Sequence, residues 1–169
     1  MRSDRPAREN RPRRPRNGSR GRSRITCLVA TRDQQLLKTI TARLEAAGMH
    51  VLTAATVAEA MTCLDKAMVE ILIADIDEPQ FGYGDLHKAV NASQPFVRRI
   101  AIARSLTLTA ALNSFRVGAV GIIGAPLDER EFDRLIRQSL SLIRAWLTRL
   151  DGVAHRQPGA APGMPATAD

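Results

Sequence analysis

Five short apolar runs in the sequence have the composition of buried β-strands. They lie at 25–30, 51–54, 71–74, 100–103 and 120–123. Between them, apolar residues recur every three or four positions, which predicts amphipathic helices. The predicted helices cover 34–47, 57–68, 85–92, 107–117 and 128–150. Gly48 and Gly118 end two of these helices, and Asp128 caps the last one.

Five strand–helix units in succession predict an α/β fold with a parallel sheet covered by helices on both faces. Right-handed crossovers leave few topologies for such a chain. We therefore predict a flavodoxin-like (βα)5 fold, a doubly wound five-stranded parallel sheet with its functional site at the carboxyl ends of the strands. The last helix, at 1.5 Å per residue, is roughly 34 Å long. This extended C-terminal helix is longer than the fold requires.

Charge is distributed unevenly along the chain. Residues 1–24 contain ten arginines against Asp4 and Glu9, so the net charge of this segment equals the +8 of the whole chain. The segment has no apolar periodicity and no aromatic residue, and Pro, Gly and Ser interrupt it. Because it cannot bury enough apolar surface to offset the entropy cost of ordering, we predict a disordered tail. Residues 151–169 are rich in Pro, Ala and Gly, which predicts a second flexible tail and limits the domain to 25–150.

Several functional classes find no support in the composition. Two cysteines, Cys27 and Cys63, form neither a disulfide framework nor a metal-binding set. The arginine-rich start has no apolar core segment, so it is not a secretory signal, and no apolar run is long enough to span a membrane. We expect a cytoplasmic protein without a metal site. No glycine-rich phosphate loop or acid–base set points to an enzyme, and Gly82 and Gly84 indicate a turn.

Three segments of the core resemble the receiver domains of two-component response regulators. In EILIADIDEP (70–79), an apolar strand ends in an aspartate and a proline follows four residues later, as around the family's phospho-acceptor. LEAAGMHVLTAATVAEAM (44–61) is similar to the end of the first helix, the second strand and the second helix. FRVGAVGIIGAP (115–126) is similar to the segment that ends in the family's Lys-Pro turn. The resemblance covers residues 25–145 and places Asp75 at the acceptor position.

The family's chemistry, as the resemblance implies it, requires five groups around one pocket. Two acidic residues bind Mg²⁺, the acceptor Asp attacks the phosphoryl group, and a Thr or Ser and a Lys bind its oxygens, because the transferring phosphoryl group is anionic. Only the acceptor is retained here. Thr31 and Arg32 align with the acidic pair, Ala103 with the Thr or Ser, and Ala125 with the Lys. Asp33 lies one position past the pair, and shifting the alignment by one residue would place it at an acidic position.

These substitutions predict a degenerate pocket with weak or absent phosphotransfer. We expect no cofactor, because Mg²⁺ lacks its acidic pair. Asp75 has two interpretations, as a residual phospho-acceptor or as an ancestral carboxylate at the end of a strand. A cation where metal ligands belong suggests the hypothesis that Arg32 pairs with Asp75 in place of the ion.

The last helix contains a heptad-like series of mostly apolar residues. The first half should pack on the sheet, whereas the second half extends beyond an ordinary receiver helix and suggests dimerisation or partner docking. The alternative is a helix that folds back onto its own domain. The residues that we assign to this interaction surface are Phe132, Ile136, Ile143, Trp146, Leu147 and Leu150.

The sequence therefore predicts a single-domain receiver-like protein, a pseudo-receiver that acts by protein–protein interaction and not as an enzyme. The expected partners are proteins such as a histidine kinase, a second copy of the chain, and nucleic acid bound non-specifically by the tail, but not a membrane. An alternative function is nucleic-acid binding or scaffolding, with the receiver fold as a dimerisation platform. The arginines expected to bind anions are Arg11, Arg13, Arg14, Arg16, Arg20, Arg22 and Arg24.

Overall fold

A computed structural model of the chain describes residues 24–78, 81, 85–116 and 118–154, with side chains up to Leu150. Strands and helices alternate throughout, as the apolar pattern predicts. The strands are β1 (Thr26–Ala30), β2 (His50–Ala54), β3 (Ile71–Asp75), β4 (Arg98–Ala103) and β5 (Ala119–Gly124). The helices are α1 (Gln34–Ala46), α2 (Val57–Lys66), α3 (Asp85–Ser93), α4 (Leu108–Arg116) and α5 (Glu129–Ala154).

The five strands form one parallel sheet in the order β2-β1-β3-β4-β5. Strand β3 lies at the centre of this order, and all five of its residues are buried. Such a strand needs apolar side chains on both faces, which explains the unbroken run Ile71–Ala74. The predicted flavodoxin-like fold is confirmed.

The core consists of layers on both faces of the sheet. On one face, α1 and α5 pack against the strands through Leu36, Ile40, Leu44 and the buried side of α5. On the other face, α2 and α3 contribute Ala60, Leu64, Leu86 and Val90. Helix α4 covers a smaller cluster near β5 that contains Ile76, Ala101, Ala103 and Ala119. Helices on both faces leave the ends of the strands as the accessible edges of the sheet.

Local signals fix the ends of the helices. The Asp33 carboxylate accepts hydrogen bonds from the backbone amides of Gln35 and Leu36, so Asp33 is the N-cap of α1. Gly48 follows the last turn of this helix at φ 79°, a left-handed conformation that favours glycine. No helix within the described part of the chain is long and apolar enough to cross a membrane.

Helix α5 differs from its prediction in two respects. It continues to Ala154, four residues into the segment predicted as a flexible tail. Phe132, Ile136 and Ile143 are buried in the core beside β1 and β4, because the helix packs on the sheet as far as Ile143. Their assignment to an interaction surface is therefore wrong.

The exposed part of the predicted surface is the C-terminal half of α5. Trp146, Leu147 and Leu150 are all exposed there. The remainder of the two predicted tails, residues 1–23 and 155–169, lies outside the described residues. This includes six of the arginines assigned to anion binding, Arg11, Arg13, Arg14, Arg16, Arg20 and Arg22. The described Arg24 is exposed, and its anion binding stays a prediction.

Candidate functional site

Three polar side chains meet where the central strands end. Asp75 is the last residue of β3, Thr31 follows β1 directly, and Arg104 follows β4. Strands β1 and β4 both pair with β3 in parallel, so their carboxyl ends lie side by side. The fold thereby brings these residues to one edge of the sheet, where the site of a doubly wound fold is expected.

Asp75 is buried, with 1% of its surface exposed. The Thr31 hydroxyl donates to its Oδ2 at 3.2 Å, and the Asp77 amide donates to its Oδ1 at 3.2 Å. The Arg104 guanidinium contacts both carboxylate oxygens, with Nη2 3.2 Å from Oδ2 and Nη1 3.4 Å from Oδ1. This two-point contact is the arrangement in which a planar guanidinium binds a carboxylate best.

Arg104 also links Asp75 to two further carboxylates. Its Nη2 lies 3.7 Å from Oδ2 of Asp33, the N-cap of α1. Its backbone amide donates to the Asp77 carboxylate in the loop after β3. The Thr31 hydroxyl in turn accepts a hydrogen bond of 3.1 Å from the Asp33 backbone amide. One arginine therefore connects the ends of β3 and β4 to the start of α1.

Burial dominates the electrostatics of Asp75 and raises the pKa of its carboxyl above the ordinary value. Arg104 acts in the opposite direction on this pKa, followed by the Asp77 amide and the Thr31 hydroxyl. The nearby Glu78 raises the pKa further. The polar contacts therefore offset only part of the cost of holding a carboxylate out of water.

Arg32 does not pair with Asp75, so the hypothesis drawn from the sequence is wrong. Its exposed side chain turns away, and its Nε donates to the Ala55 carbonyl at 3.3 Å. Arg104 takes the position that we expected for Arg32. Sequence reasoning missed Arg104 because it lies one residue beyond the family position occupied by Ala103.

The two alanines offer no side-chain ligand to the pocket. Ala103 ends β4 and is fully buried, and Ala125 follows β5. They are joined only through the backbone, where the Ala125 amide donates to the Ala103 carbonyl at 2.9 Å. The positions for a phosphoryl-binding hydroxyl and lysine therefore contain methyl groups.

The donor set does not fit a magnesium ion. Mg²⁺ requires carboxylate oxygens that are free to coordinate it in near-octahedral geometry. Here Asp75 accepts bonds from Arg104, Thr31 and the Asp77 amide, and Asp33 caps a helix. Within the described ranges, no group of three or more His, Cys, Asp or Glu residues could hold a metal ion.

Comparisons with known proteins agree with this fold. No protein-family profile and no curated protein matches the sequence. Among solved structures, the chain is similar to a CheY-like response regulator receiver domain protein from Methanospirillum hungatei. The two share 23% identity with a TM-score of 0.63, and the alignment covers 70% of this chain and 95% of that one.

Two further solved structures show the same likeness. The signal receiver domain of an HD domain-containing protein from Pseudomonas fluorescens is 19% identical, with a TM-score of 0.65 over 72% of this chain and 98% of that one. The chemotaxis protein CheY4 from Vibrio cholerae is 20% identical, with a TM-score of 0.63 over 69% and 99%. The chain therefore has the fold of response-regulator receiver domains.

Proposed function

We propose that this chain is a receiver-like protein of two-component signalling that acts by contacting other proteins, without phosphotransfer at Asp75. The contact between Arg104 and the buried Asp75 carboxylate is the observation that carries the proposal. A phospho-acceptor must present a free carboxylate oxygen to the incoming phosphoryl group. Here both oxygens already accept hydrogen bonds.

Charge balance supports the same conclusion. A phosphoryl group at Asp75 would add negative charge beside Asp33 and Asp77. Among the residues that the structure describes, Arg104 is the one cation bonded to this cluster. Phosphoryl transfer depends on positioned cations that neutralise the transferring group and its nucleophile. Arg104 already neutralises carboxylates, so little of its charge is left for a phosphoryl group.

Incubation of the full chain with acetyl phosphate and Mg²⁺, followed by intact mass measurement, tests this proposal. We expect no adduct with the mass of a phosphoryl group on the natural sequence. Asp75→Asn is the matched control, since it keeps the shape of the side chain and removes the nucleophile. An adduct that forms on the natural sequence and disappears in Asp75→Asn would overturn the proposal.

Exposed apolar residues support action by protein contact. Helix α4 exposes Leu108, Leu112 and Phe115, and Val120 lies beside it on the edge strand β5. Exposed apolar patches of this kind are typical of interaction surfaces. We propose a protein of the signalling pathway, for instance a histidine kinase, as the partner of this face. A homodimer through the end of α5 is disfavoured, because the described charged side chains that line the hollows there are all arginines.

A further inference from the structure

The C-terminal half of α5 projects beyond the amino edge of the sheet. Thirteen residues separate Glu129 from Leu142, roughly 20 Å of helix, which is about the length of the six-residue strand β5. Leu140 and Leu147 line one hollow together with Ile25 and Met49, which directly precede β1 and β2, and Ile143 lines another with Phe96, which precedes β4. The turns after Ile143 therefore extend past the sheet, at the end opposite to Asp75.

Exposed apolar side chains surround this projecting end. Phe96, before β4, is 79% exposed, and its ring centroid lies 5.7 Å from that of Trp146. Leu142 adjoins the same hollow beside α5, whereas Leu147 and Leu150 line a second hollow. The apolar groups thus lie on both sides of a protruding helix, not in one groove.

The described charged side chains that line the two hollows are all arginines. Arg98 and Arg149 line the hollow next to Trp146, and Arg24 and Arg144 line the hollow next to Leu147. Among the residues that the structure describes, no acidic side chain lines either hollow. None of these four arginines forms an ion pair with a residue that the structure describes. The arginine-rich segment 1–24 joins the domain at the same place.

We propose that this end of the molecule binds the surface of an anionic lipid membrane. Tryptophan and phenylalanine favour the headgroup region, leucines enter the acyl boundary, and arginines bind lipid phosphates while their stems stay in apolar surroundings. Stable peripheral binding takes two signals, an apolar one and a basic one, and both are present here. The expectation of no membrane partner rested on the lack of a spanning segment, which peripheral binding does not require.

Other occupants fit this end less well. A second copy would place four arginines against four arginines, which costs association free energy. Single-stranded nucleic acid would stack on Phe96 and Trp146 but would leave the three exposed leucines unused. An acidic peptide in one hollow would leave the other side of α5 exposed. A lipid surface contacts both sides of the helix at once.

Trp146 is the only tryptophan in the chain and reports directly on insertion. The full chain is mixed with phosphatidylcholine vesicles, with or without phosphatidylglycerol, and Trp146 emission is recorded. We expect a blue shift only with the anionic vesicles and quenching by brominated acyl chains. Arg98→Gln combined with Arg149→Gln should weaken binding about tenfold or more, because each basic residue near an anionic surface contributes measurably.

Matched apolar substitutions separate this end from the rest of the surface. Leu142→Asn combined with Leu150→Asn should abolish the blue shift and the quenching. Leu108→Asn combined with Leu112→Asn changes leucines on α4 that are at least as exposed, and should leave both signals unchanged. Circular dichroism checks that each variant is folded.

Three results would overturn the proposal. The first is no binding to anionic vesicles. The second is sedimentation with those vesicles without a Trp146 signal, which would indicate adhesion by the arginine-rich segment alone. The third is a Trp146 shift with oligonucleotide, polyglutamate or rising protein concentration that exceeds the shift with anionic vesicles. The acetyl phosphate experiment is independent of all three, so either proposal can fail alone.

Discussion

Arg104 differs from a bound metal ion in that its charge is attached to the chain. A planar guanidinium with several donors can bond both oxygens of Asp75 and still reach towards Asp33. Its side chain is 45% exposed, so the charge keeps part of its hydration while it contacts a buried carboxylate. Because the positive charge beside Asp75 belongs to a side chain of the protein, no ion has to bind from solution.

Replacing Arg104 by Gln should raise the pKa of Asp75 further. Arg104 is the largest influence that lowers this pKa, and its removal leaves burial opposed only by the Asp77 amide and the Thr31 hydroxyl. NMR titration of the Asp75 carboxyl carbon measures the change. Arg32→Gln is the control, since Arg32 bonds the Ala55 carbonyl, and it should leave the titration unchanged. The reverse result, a shift with Arg32→Gln alone, would restore the hypothesis drawn from the sequence.

The residues of the pocket were only partly predictable. Asp75 could be placed because an apolar strand that ends in an acid is visible in the sequence. Arg32 and Arg104 each follow a strand at the same edge of the sheet, so position along the chain does not show which of them contacts Asp75. Side-chain direction decides between them, and it depends on the three-dimensional positions of the Ala55 carbonyl and the Asp75 carboxylate, which spacing does not encode.

At the scale of elements, α5 combines two roles along one helix. Its apolar residues step by three and four positions from beginning to end, which is the same pattern for a helix on a sheet and for a helix in a coiled coil. The first half buries Phe132 and Ile136 against the strands, whereas the second half has no sheet beneath it. The length of α5 was therefore largely predictable from the sequence, but the boundary between its buried and its exposed part depends on where the sheet ends.

Alanine substitutions should separate the two halves of α5. Phe132→Ala removes a fully buried ring and leaves a cavity, so it should lower the free energy of unfolding by about 3–5 kcal/mol. Leu147→Ala changes an exposed side chain and should cost less than about 1 kcal/mol. Urea denaturation monitored by circular dichroism measures both values. Equal losses would contradict the division of the helix.

Two glycines provide a matched pair for backbone strain. Gly48 and Gly118 have nearly the same left-handed φ, 79° and 78°. A Cβ at Gly48 would meet no atom within 4 Å, whereas one at Gly118 would lie 2.8 Å from Nη1 of Arg99. Gly48→Ala should therefore cost only the backbone strain, about 1 kcal/mol. Gly118→Ala should cost more, because Arg99 is buried and its Nη2 donates to Asn91, which restricts how far its Nη1 can move aside. Urea midpoints of the two variants measure the difference, and a larger loss at Gly48 would contradict it.

At the scale of the whole molecule, the two edges of the sheet hold different polar clusters. The carboxyl edge holds Asp33, Asp75 and Asp77 around one arginine, and the opposite edge exposes arginines beside apolar groups. The uneven charge along the chain was evident from the sequence, since segment 1–24 contains the whole net charge. The grouping of Arg98 with Arg149 was not, because these residues are 51 positions apart and meet only through the fold.

Two buried titratable groups give the stability of the molecule an unusual dependence on pH. Burial lowers the pKa of His87 below 6.5, and the charge of Arg99 lowers it further. A hydrogen bond with the Phe81 backbone raises this pKa and offsets part of the effect. Between the pKa of His87 in the folded chain and its higher pKa in the unfolded chain, the unfolded chain therefore binds more protons than the folded chain. His87 thus removes stability as pH falls below 6.5. Asp75, with its raised pKa, acts in the opposite direction, because its folded form binds protons more readily.

A His87→Gln variant isolates the histidine contribution. Asp75 is common to both proteins, so its effect cancels in the comparison. Between pH 7 and pH 5, the natural sequence should lose more free energy of unfolding than the variant, whatever the variant's stability at pH 7. His50→Gln is the control, since His50 is exposed at the start of β2, and its loss should match that of the natural sequence. Urea titrations at several pH values give these losses, and parallel curves for all three proteins would mean that His87 charges as easily in the folded chain as in the unfolded one.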